Sequence, residues 1–171
     1  DVYCPIEQVE GRVKSVSSIL EKMQRKHIPM ERMEEELEDI AGVRIICQFV
    51  EDIYKVVEII EHRTDMEIIQ YKDYIHNEKS SGYRSYHMLV TTPVFLSDSI
   101  IDTKVEIQIR TVAQDFWATL EHKMHYKFEG DGPDYITKEL RECARYVAEL
   151  DTRMEELNNE IQKYGKLSDK K

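Results

Sequence analysis

Val43-Arg44-Ile45-Ile46-Cys47-Gln48-Phe49 is the stretch on which the fold turns. Its β-branched, apolar character is that of a strand near the centre of a sheet. Directly after it, Ile53, Val56, Val57 and Ile60 recur at helical spacing, which predicts an amphipathic helix over 51–63. Upstream, residues 9–14 alternate, with Val9, Gly11 and Val13 on one side and Glu10, Arg12 and Lys14 on the other, the period of a strand. Ser15 is then placed to cap a helix over 16–26, which Ile28-Pro29 ends. A short acidic helix over 30–38 leads to the corner Asp39-Ile40-Ala41-Gly42. Downstream, strands are expected at 67–72, 85–92 and 104–110, with a polar loop at 77–82 and a turn region over 93–102. Helical patterning returns over 111–128. Gly130, Gly132 and Pro133 interrupt it, and a long helix over 134–164 follows. Its stripe of Leu140, Cys143, Val147, Leu150, Met154, Leu157, Ile161 and Tyr164 is spaced by threes and fours, which fits either packing on its own domain or self-association. Strands and helices interleave without a strict βαβ repeat. The expected architecture is α+β, a mixed sheet of about five strands with helices on it.

The chain has 171 residues, 41% hydrophobic and 34% charged, which excludes a disordered polymer. No apolar run approaches the roughly 20 residues that a membrane span needs, and no signal peptide is evident. The net charge of −10 is the wrong sign for a protein whose main task is binding a nucleic-acid backbone, so no DNA partner is expected. Any phosphate site must be a local basic cluster inside an acidic molecule. Cys4, Cys47 and Cys143 are distant from one another and form no Cys-x-x-Cys pair, which argues for a reducing, cytoplasmic setting.

Several familiar routes to nucleotide or metal chemistry are closed. The six glycines form neither a Gly-x-Gly-x-x-Gly nor a P-loop pattern, and His122 and His125 read as a polar helix face rather than a metal site. Four positive signals remain. Arg12, Lys14, Ser15, Ser18 and Lys22 converge where a strand enters a helix N-terminus, a way to build an anion site without a glycine loop; a capped helix with solvated lysines fits equally. In Lys104-Val105-Glu106-Ile107-Gln108-Ile109-Arg110, the apolar positions face the core, so Glu106, Gln108 and Arg110 share the other face. Lys79-Ser80-Ser81-Gly82-Tyr83-Arg84-Ser85-Tyr86-His87 brings cations, a histidine and aromatics together: Tyr83 could stack on a base, and Lys79 and His87 could meet phosphate oxygens, while core packing is expected for one of Tyr83 and Tyr86. Asp39, at its corner, is an ordinary turn residue unless it pairs in space with Glu106, in which case the two could hold Mg²⁺.

Taken in order, these segments resemble the synthetase domain of RelA/SpoT-type (p)ppGpp synthetases. The matching blocks are Gly11-Arg12-Val13-Lys14 with Ser18-Ile19 and Lys22; Asp39-Ile40-Ala41-Gly42-Val43-Arg44; Gly82-Tyr83-Arg84-Ser85-Tyr86-His87; and Val105-Glu106-Ile107-Gln108-Ile109-Arg110-Thr111. Asp115-Phe116-Trp117-Ala118 and Leu120-Glu121-His122 continue the match, and the short length is most similar to the stand-alone small alarmone synthetases. The resemblance implies one synthetase domain over 1–171, with a catalytic core at about 9–128 and a nucleotidyltransferase-like sheet. It also implies a pyrophosphokinase reaction, in which ATP gives its β,γ-pyrophosphate to the ribose 3′-OH of GDP or GTP and leaves AMP.

Carried over residue by residue, the resemblance places Arg12 and Arg44 on adenine, and Lys14, Ser18, Lys22 and Arg25 on the ATP phosphates. Asp39 and Glu106 hold Mg²⁺, and Glu106 also takes the proton of the 3′-OH. Tyr83 stacks on guanine; Lys72, Lys79 and His87 meet the acceptor's phosphates; Gln108 orients the acceptor; Asp115 accepts from guanine N1–H and N2–H₂. Relatives of this kind form homotetramers, so a homo-oligomer is expected. No His is followed by Asp, so the hydrolase motif of the bifunctional relatives is missing and no hydrolase activity is expected. Two other readings stay open: a nucleotide-adding transferase, although no Gly-Ser followed by Asp-x-Asp occurs, and a non-catalytic guanine-nucleotide sensor assembled through the C-terminal heptads.

Overall fold

The computed structural model describes residues 3–127 and 134–168. Five strands, β1 (Ile6–Val13), β2 (Ala41–Cys47), β3 (Glu67–Asp73), β4 (Tyr86–Phe95) and β5 (Ile100–Thr111), form one sheet in the order β1-β2-β5-β4-β3. Only the β2–β5 pair is parallel, so the sheet is mixed, as expected. The helices are α1 (Val16–Lys26), α2 (Met33–Glu36), α3 (Val50–Glu61), α4 (Val112–Lys127) and α5 (Asp134–Ser168). No helix among the described residues is long and apolar enough to cross a membrane.

One face of the sheet is the core. Ile45 and Cys47 of β2, Met88 and Val90 of β4, and Ile107 and Ile109 of β5 pack against Ile53, Val56, Val57 and Ile60 of α3, the stripe read from the sequence. Tyr86 packs against this cluster, and Tyr83 packs against a separate one formed by Trp117, Ala118 and Ala144, so both tyrosines of the loop have core contacts where one was expected. The opposite face carries the alternate residues of the same strands. Register sets Arg12 beside Gly42 and Gly42 beside Glu106; one row further, Glu10, Arg44, Gln108, His87 and Lys72 lie side by side across all five strands. Because side chains in register share a face, the polar residues of separate sequence blocks form one surface.

Local rules explain the edges of this surface. Ser15 Oγ accepts from Ser18 N–H at 3.3 Å, the N-cap expected for α1. His27 closes that helix in the left-handed region at φ 55°, and Pro29 follows. The acidic helix expected over 30–38 is smaller: a 3₁₀ turn, Met30–Arg32, runs into the single turn α2. Its role is packing, since Leu37 joins Met23 and Ile28 in a second small core.

The turn region expected over 93–102 is corrected. Strands β4 and β5 run through it, pairing Pro93 with Asp102 and Phe95 with Ile100. Pro93 is tolerated because β3 ends opposite Thr91, leaving that side of β4 without a ladder partner. The break expected at Gly130, Gly132 and Pro133, and the side chain of His125, lie outside the described residues.

The stripe of α5 divides between the two alternatives left open for it. Leu140, Ala144 and Val147 face inward and pack with Trp117 and Ala118, but Leu150, Met154, Leu157, Ile161 and Tyr164 are exposed. The inward face of the second half is polar. Asp151 Oδ2 accepts from the Thr111 hydroxyl at 2.7 Å, and Glu155 Oε1 accepts from the Glu51 N–H at 3.0 Å. Thr111 and Gln114 form a reciprocal capping box at the start of α4, each accepting from the other's backbone N–H. Thus α5 supplies carboxylates to the N-termini of both α3 and α4.

Candidate active site

Two cavities adjoin on the polar face. The first, of 390 Å³, is lined by Glu10, Arg12, Asp39, Gly42, Arg44, Glu106 and Gln108, among others. The second, of 490 Å³, shares Arg12, Arg44, Glu106 and Gln108 and adds Lys79, Tyr83, His87 and Arg110. Glu106 and Gln108 therefore stand at the seam between two compartments. Gly42 keeps this floor low: with no side chain between Arg12 and Glu106, the first cavity reaches the backbone.

Asp39 sits in the bend before β2, tied to the end of β1 by the Lys14 N–H donating to Ile40 O at 2.8 Å. Lys14 Nζ and Lys22 Nζ both reach Asp39 Oδ2 at 2.7 Å. Burial pushes this carboxyl up, but the two ammonium partners outweigh it and hold Asp39 below the usual carboxylate range. Its other oxygen, Oδ1, is buried without a hydrogen-bond partner. A charged acceptor left in that condition is costly unless a cation meets it. Asp39 and Glu106 line the same cavity, and the charge of Asp39 pushes the pKa of Glu106 upward. No cluster of three or more His, Cys, Asp or Glu that could hold a metal occurs among the described residues. Two carboxylates suit a Mg²⁺ ion, which is commonly held by one or two carboxylates plus substrate phosphates.

Glu106 is half-buried. His87 Nδ1 lies 3.1 Å from its Oε1, and Gln108 Nε2 donates to its Oε2 at 2.9 Å. Burial raises its pKa, but these donors prevail and keep Glu106 below its ordinary value, hence ionised at neutral pH. His87 is pushed below its ordinary value by burial, against the pull of Glu106, so its ring is neutral. Its second nitrogen is 2.9 Å from the Tyr83 hydroxyl, so both ring nitrogens are engaged within the protein. Lys79, lowered chiefly by burial, lies over the rings of Tyr74 and Tyr83 at 4.6 and 4.7 Å.

The remaining candidates divide. Asp115, in the first turn of α4, ion-pairs with Arg110 Nη1 at 3.1 Å and Arg44 Nε at 3.5 Å, and lines neither cavity. Lys72 neighbours His87 in register and pairs with Glu38. Ser18 belongs to the α1 cap, its Oγ bonded to Ser15 Oγ at 2.9 Å. Arg25 is exposed in the last turn of α1 and lines neither cavity. The residue that the candidate set omits is Arg110. It is buried, donates to Tyr83, Gln108 and Asp115, and lies over the Tyr83 ring at 5.3 Å. The signal was present, since Arg110 is the third member of the Glu106/Gln108 alternation.

A mixed sheet with a paired-carboxylate, arginine- and lysine-rich face defines a class of phosphate-transfer domain, and comparison with known proteins says which. The chain belongs to the RelA/SpoT family: residues 11–131 match the family described as the region found in RelA / SpoT proteins. It is 46% identical to the GTP pyrophosphokinases YwaC and YjbM of Bacillus subtilis, covering 92% and 95% of this chain and 76% of each relative. It also matches the crystal structure of small alarmone synthetase 1 from B. subtilis bound to its product pppGpp, with TM-score 0.91 and 46% identity over 95% of this chain and 83% of that one. The AMPCPP-bound structure of that synthetase matches with TM-score 0.81 and 41% identity over 94% and 81% of the two chains.

Proposed function

We propose that this chain is a GTP pyrophosphokinase that moves the β,γ-pyrophosphate of ATP to the ribose 3′-OH of GDP or GTP, releasing AMP. The observation that carries the reading is the meeting of Asp39 and Glu106 in one cavity, which Arg12 and Arg44 also line, with Lys14 and Lys22 paired to Asp39. Pyrophosphoryl transfer needs cations around a polyphosphate, a metal to neutralise developing charge, and an in-line hydroxyl. The first cavity takes ATP, with Arg12 and Arg44 on adenine and Lys14, Lys22, Ser18 and Arg25 towards the phosphates. The unpartnered Asp39 Oδ1 and Glu106 would hold Mg²⁺, which supplies charge neutralisation at the phosphates. The second cavity takes the acceptor: Tyr83 offers a ring for guanine, Lys79 meets its phosphates and Gln108 its ribose. Lys72, paired with Glu38, and Asp115, held by Arg110 and Arg44, lie outside that lining and would have to leave those partners to reach the phosphates and the base edge. His87, with both nitrogens engaged, lies beside those phosphates and bonds to Glu106 instead. Glu106, ionised and at the seam, accepts the 3′-OH proton.

The name GTP pyrophosphokinase of the two B. subtilis relatives supports this reading, as does the likeness to a synthetase bound to pppGpp. Residues 1–171 act as one synthetase unit in the cytoplasm, where both nucleotides are available. The exposed Leu150, Met154, Leu157, Ile161 and Tyr164 stripe joins copies into a homotetramer, the assembly to be read by light scattering. The deciding experiment mixes γ-labelled ATP, GDP or GTP, and Mg²⁺. Label moving onto the guanine nucleotide as AMP appears supports the reading. Release of pyrophosphate would favour nucleotide addition, and tight guanine-nucleotide binding without AMP would favour a sensor.

A further inference from the structure

The loop that carries Tyr83 is a partition between two spaces. Lys79, Ser81 and Tyr83 line the second cavity, while Glu78, Gly82 and Arg84 line a third, of 560 Å³, that they share with α5. The loop is braced from within. Gly82 N–H donates to Lys79 O at 2.8 Å, and Lys79 N–H donates to Tyr83 O at 3.2 Å. Arg84 adds bonds to Ile75 O at 3.1 Å and to Glu78 at 2.5 Å. Lys79 and Tyr83, the acceptor groups this turn carries, therefore move as one unit with Gly82. Helix α5 meets the turn at Gly82. A Cβ built there would lie 2.6 Å from Ala144 Cβ, closer than two unbonded carbons can approach, while Arg141 Cα and Cγ stand at 3.7 and 3.8 Å. Ala144 is buried with Trp117 and Ala118, and Tyr83 packs against the same cluster. The helix is itself fixed at this level, because Trp117 Nε1–H donates to Leu140 O at 3.0 Å, one turn before Ala144. A small side chain on α5 thus faces a bare backbone on the loop, next to the tyrosine that lines the acceptor cavity.

We propose that Ala144 is a positioning residue for the acceptor: its single methyl sets how closely the Lys79–Tyr83 turn approaches α5, and so where the Tyr83 ring and Lys79 stand in the second cavity. Close-packed contacts transmit such a displacement rather than absorb it. A larger side chain at position 144 must push Gly82 away from α5, and Tyr83, the next residue in the chain, goes with it. The effect is selective. Arg12 and Arg44 stand on β1 and β2, and Lys22 on α1, elements that take no part in this contact. The inference rests on reading the second cavity as the acceptor's.

The test is steady-state kinetics with GDP and ATP varied in turn. Ala144→Val should raise KM for GDP by about tenfold or more, since a misplacement of about 1 Å is costly in a preorganised site, with KM for ATP within about twofold and kcat at saturating GDP within about threefold of the parent. Ala144→Ser, nearly the same size, should match the parent. A residue that only supported the fold would lower the melting temperature without splitting the two KM values. A second pair of variants decides the matter even where Ala144→Val does not fold. Gly82→Ala should raise KM for GDP, and adding Ala144→Gly, which removes the opposing methyl, should bring it back down by about threefold or more. The strain of an alanine at φ +89° is common to both proteins and cancels in that comparison. A parental KM for GDP in Ala144→Val, a KM for ATP that rises in step, or no recovery in the double variant overturns the proposal. Tyr83→Leu separates it from the reading beneath it. Unchanged KM for GDP in that variant would remove the acceptor reading and the proposal with it, whereas weakened GDP use there beside a parent-like Ala144→Val overturns the positioning role alone.

Discussion

Glu106 is subject to two opposed pressures, burial that favours its neutral acid and donors that favour its anion, and the donors prevail. A base must be ionised before the acceptor hydroxyl arrives, so this balance suits its proposed task. Glu106→Gln keeps the shape, and its amide oxygen can still accept from Gln108 or His87, but the group can no longer take a proton. Turnover is expected to fall by about 10²–10⁴-fold, the usual contribution of a general base, while ATP affinity measured by calorimetry in the presence of Mg²⁺ stays within a few-fold. A variant that turns over within a few-fold of the parent would remove Glu106 from the chemistry. At this scale the sequence was informative about residue types and weaker on partners. Asp39, Glu106, Arg12 and Arg44 were legible because each stands beside a strand or corner that could be placed. Arg110 was seen on the right face but given no role, because nothing in a one-dimensional pattern reveals that one guanidinium reaches Tyr83, Gln108 and Asp115 together.

Elements were legible where one period dominates. The α3 stripe and the alternation of β5 came through because each packs against a single core. The hairpin arm over 93–102 was hidden because proline usually marks a turn, and only the early end of β3 makes it harmless there. In α5 the apolar stripe and the packed face diverge after Val147, since the inner face must supply acceptors to two helix N-termini rather than methyl groups to a core. Two glycines test how these elements frame the site. At Gly42 an added Cβ would meet Glu106 O at 3.5 Å and Arg12 O at 3.9 Å, both ordinary contacts, so Gly42→Leu should fold with an unchanged melting temperature. Its side chain would fill the first cavity between Arg12 and Glu106, raising KM for ATP at least tenfold while guanine-nucleotide binding changes little. Gly82 differs: its φ of +89° favours glycine, and a Cβ would lie 2.6 Å from Ala144 Cβ on α5. Gly82→Ala should therefore destabilise the protein by roughly 1–3 kcal/mol, the usual range for overpacking, as read by denaturant unfolding. An unchanged midpoint would mean that the Tyr83 loop does not rest on α5 in solution.

For the whole molecule, α5 links stability to pH through a group distant from the catalytic carboxylates. Asp151 is buried against the capping box of α4, and burial raises its pKa to about 6, with Glu155 adding to the effect and Thr111, Gln114 and Arg84 opposing it. A folded-state value above the unfolded one means that the folded protein prefers the protonated acid. Its favourable contribution is complete below about pH 4, is lost as pH rises through 6, and leaves an ionised, buried carboxylate at neutral pH. A rise of about two pKa units corresponds to roughly 3 kcal/mol as an upper bound. Asp151→Asn keeps an oxygen to accept from Thr111 and abolishes the titration. The variant should match the parent in thermal stability near pH 4 and exceed it at pH 8, by several degrees for a domain of this size. The gap should open between pH 4 and 6.5. Parallel melting curves for parent and variant across that window, or a variant less stable at pH 8, would mean that the Asp151 charge is stabilised by the α4 N-terminus rather than penalised by burial.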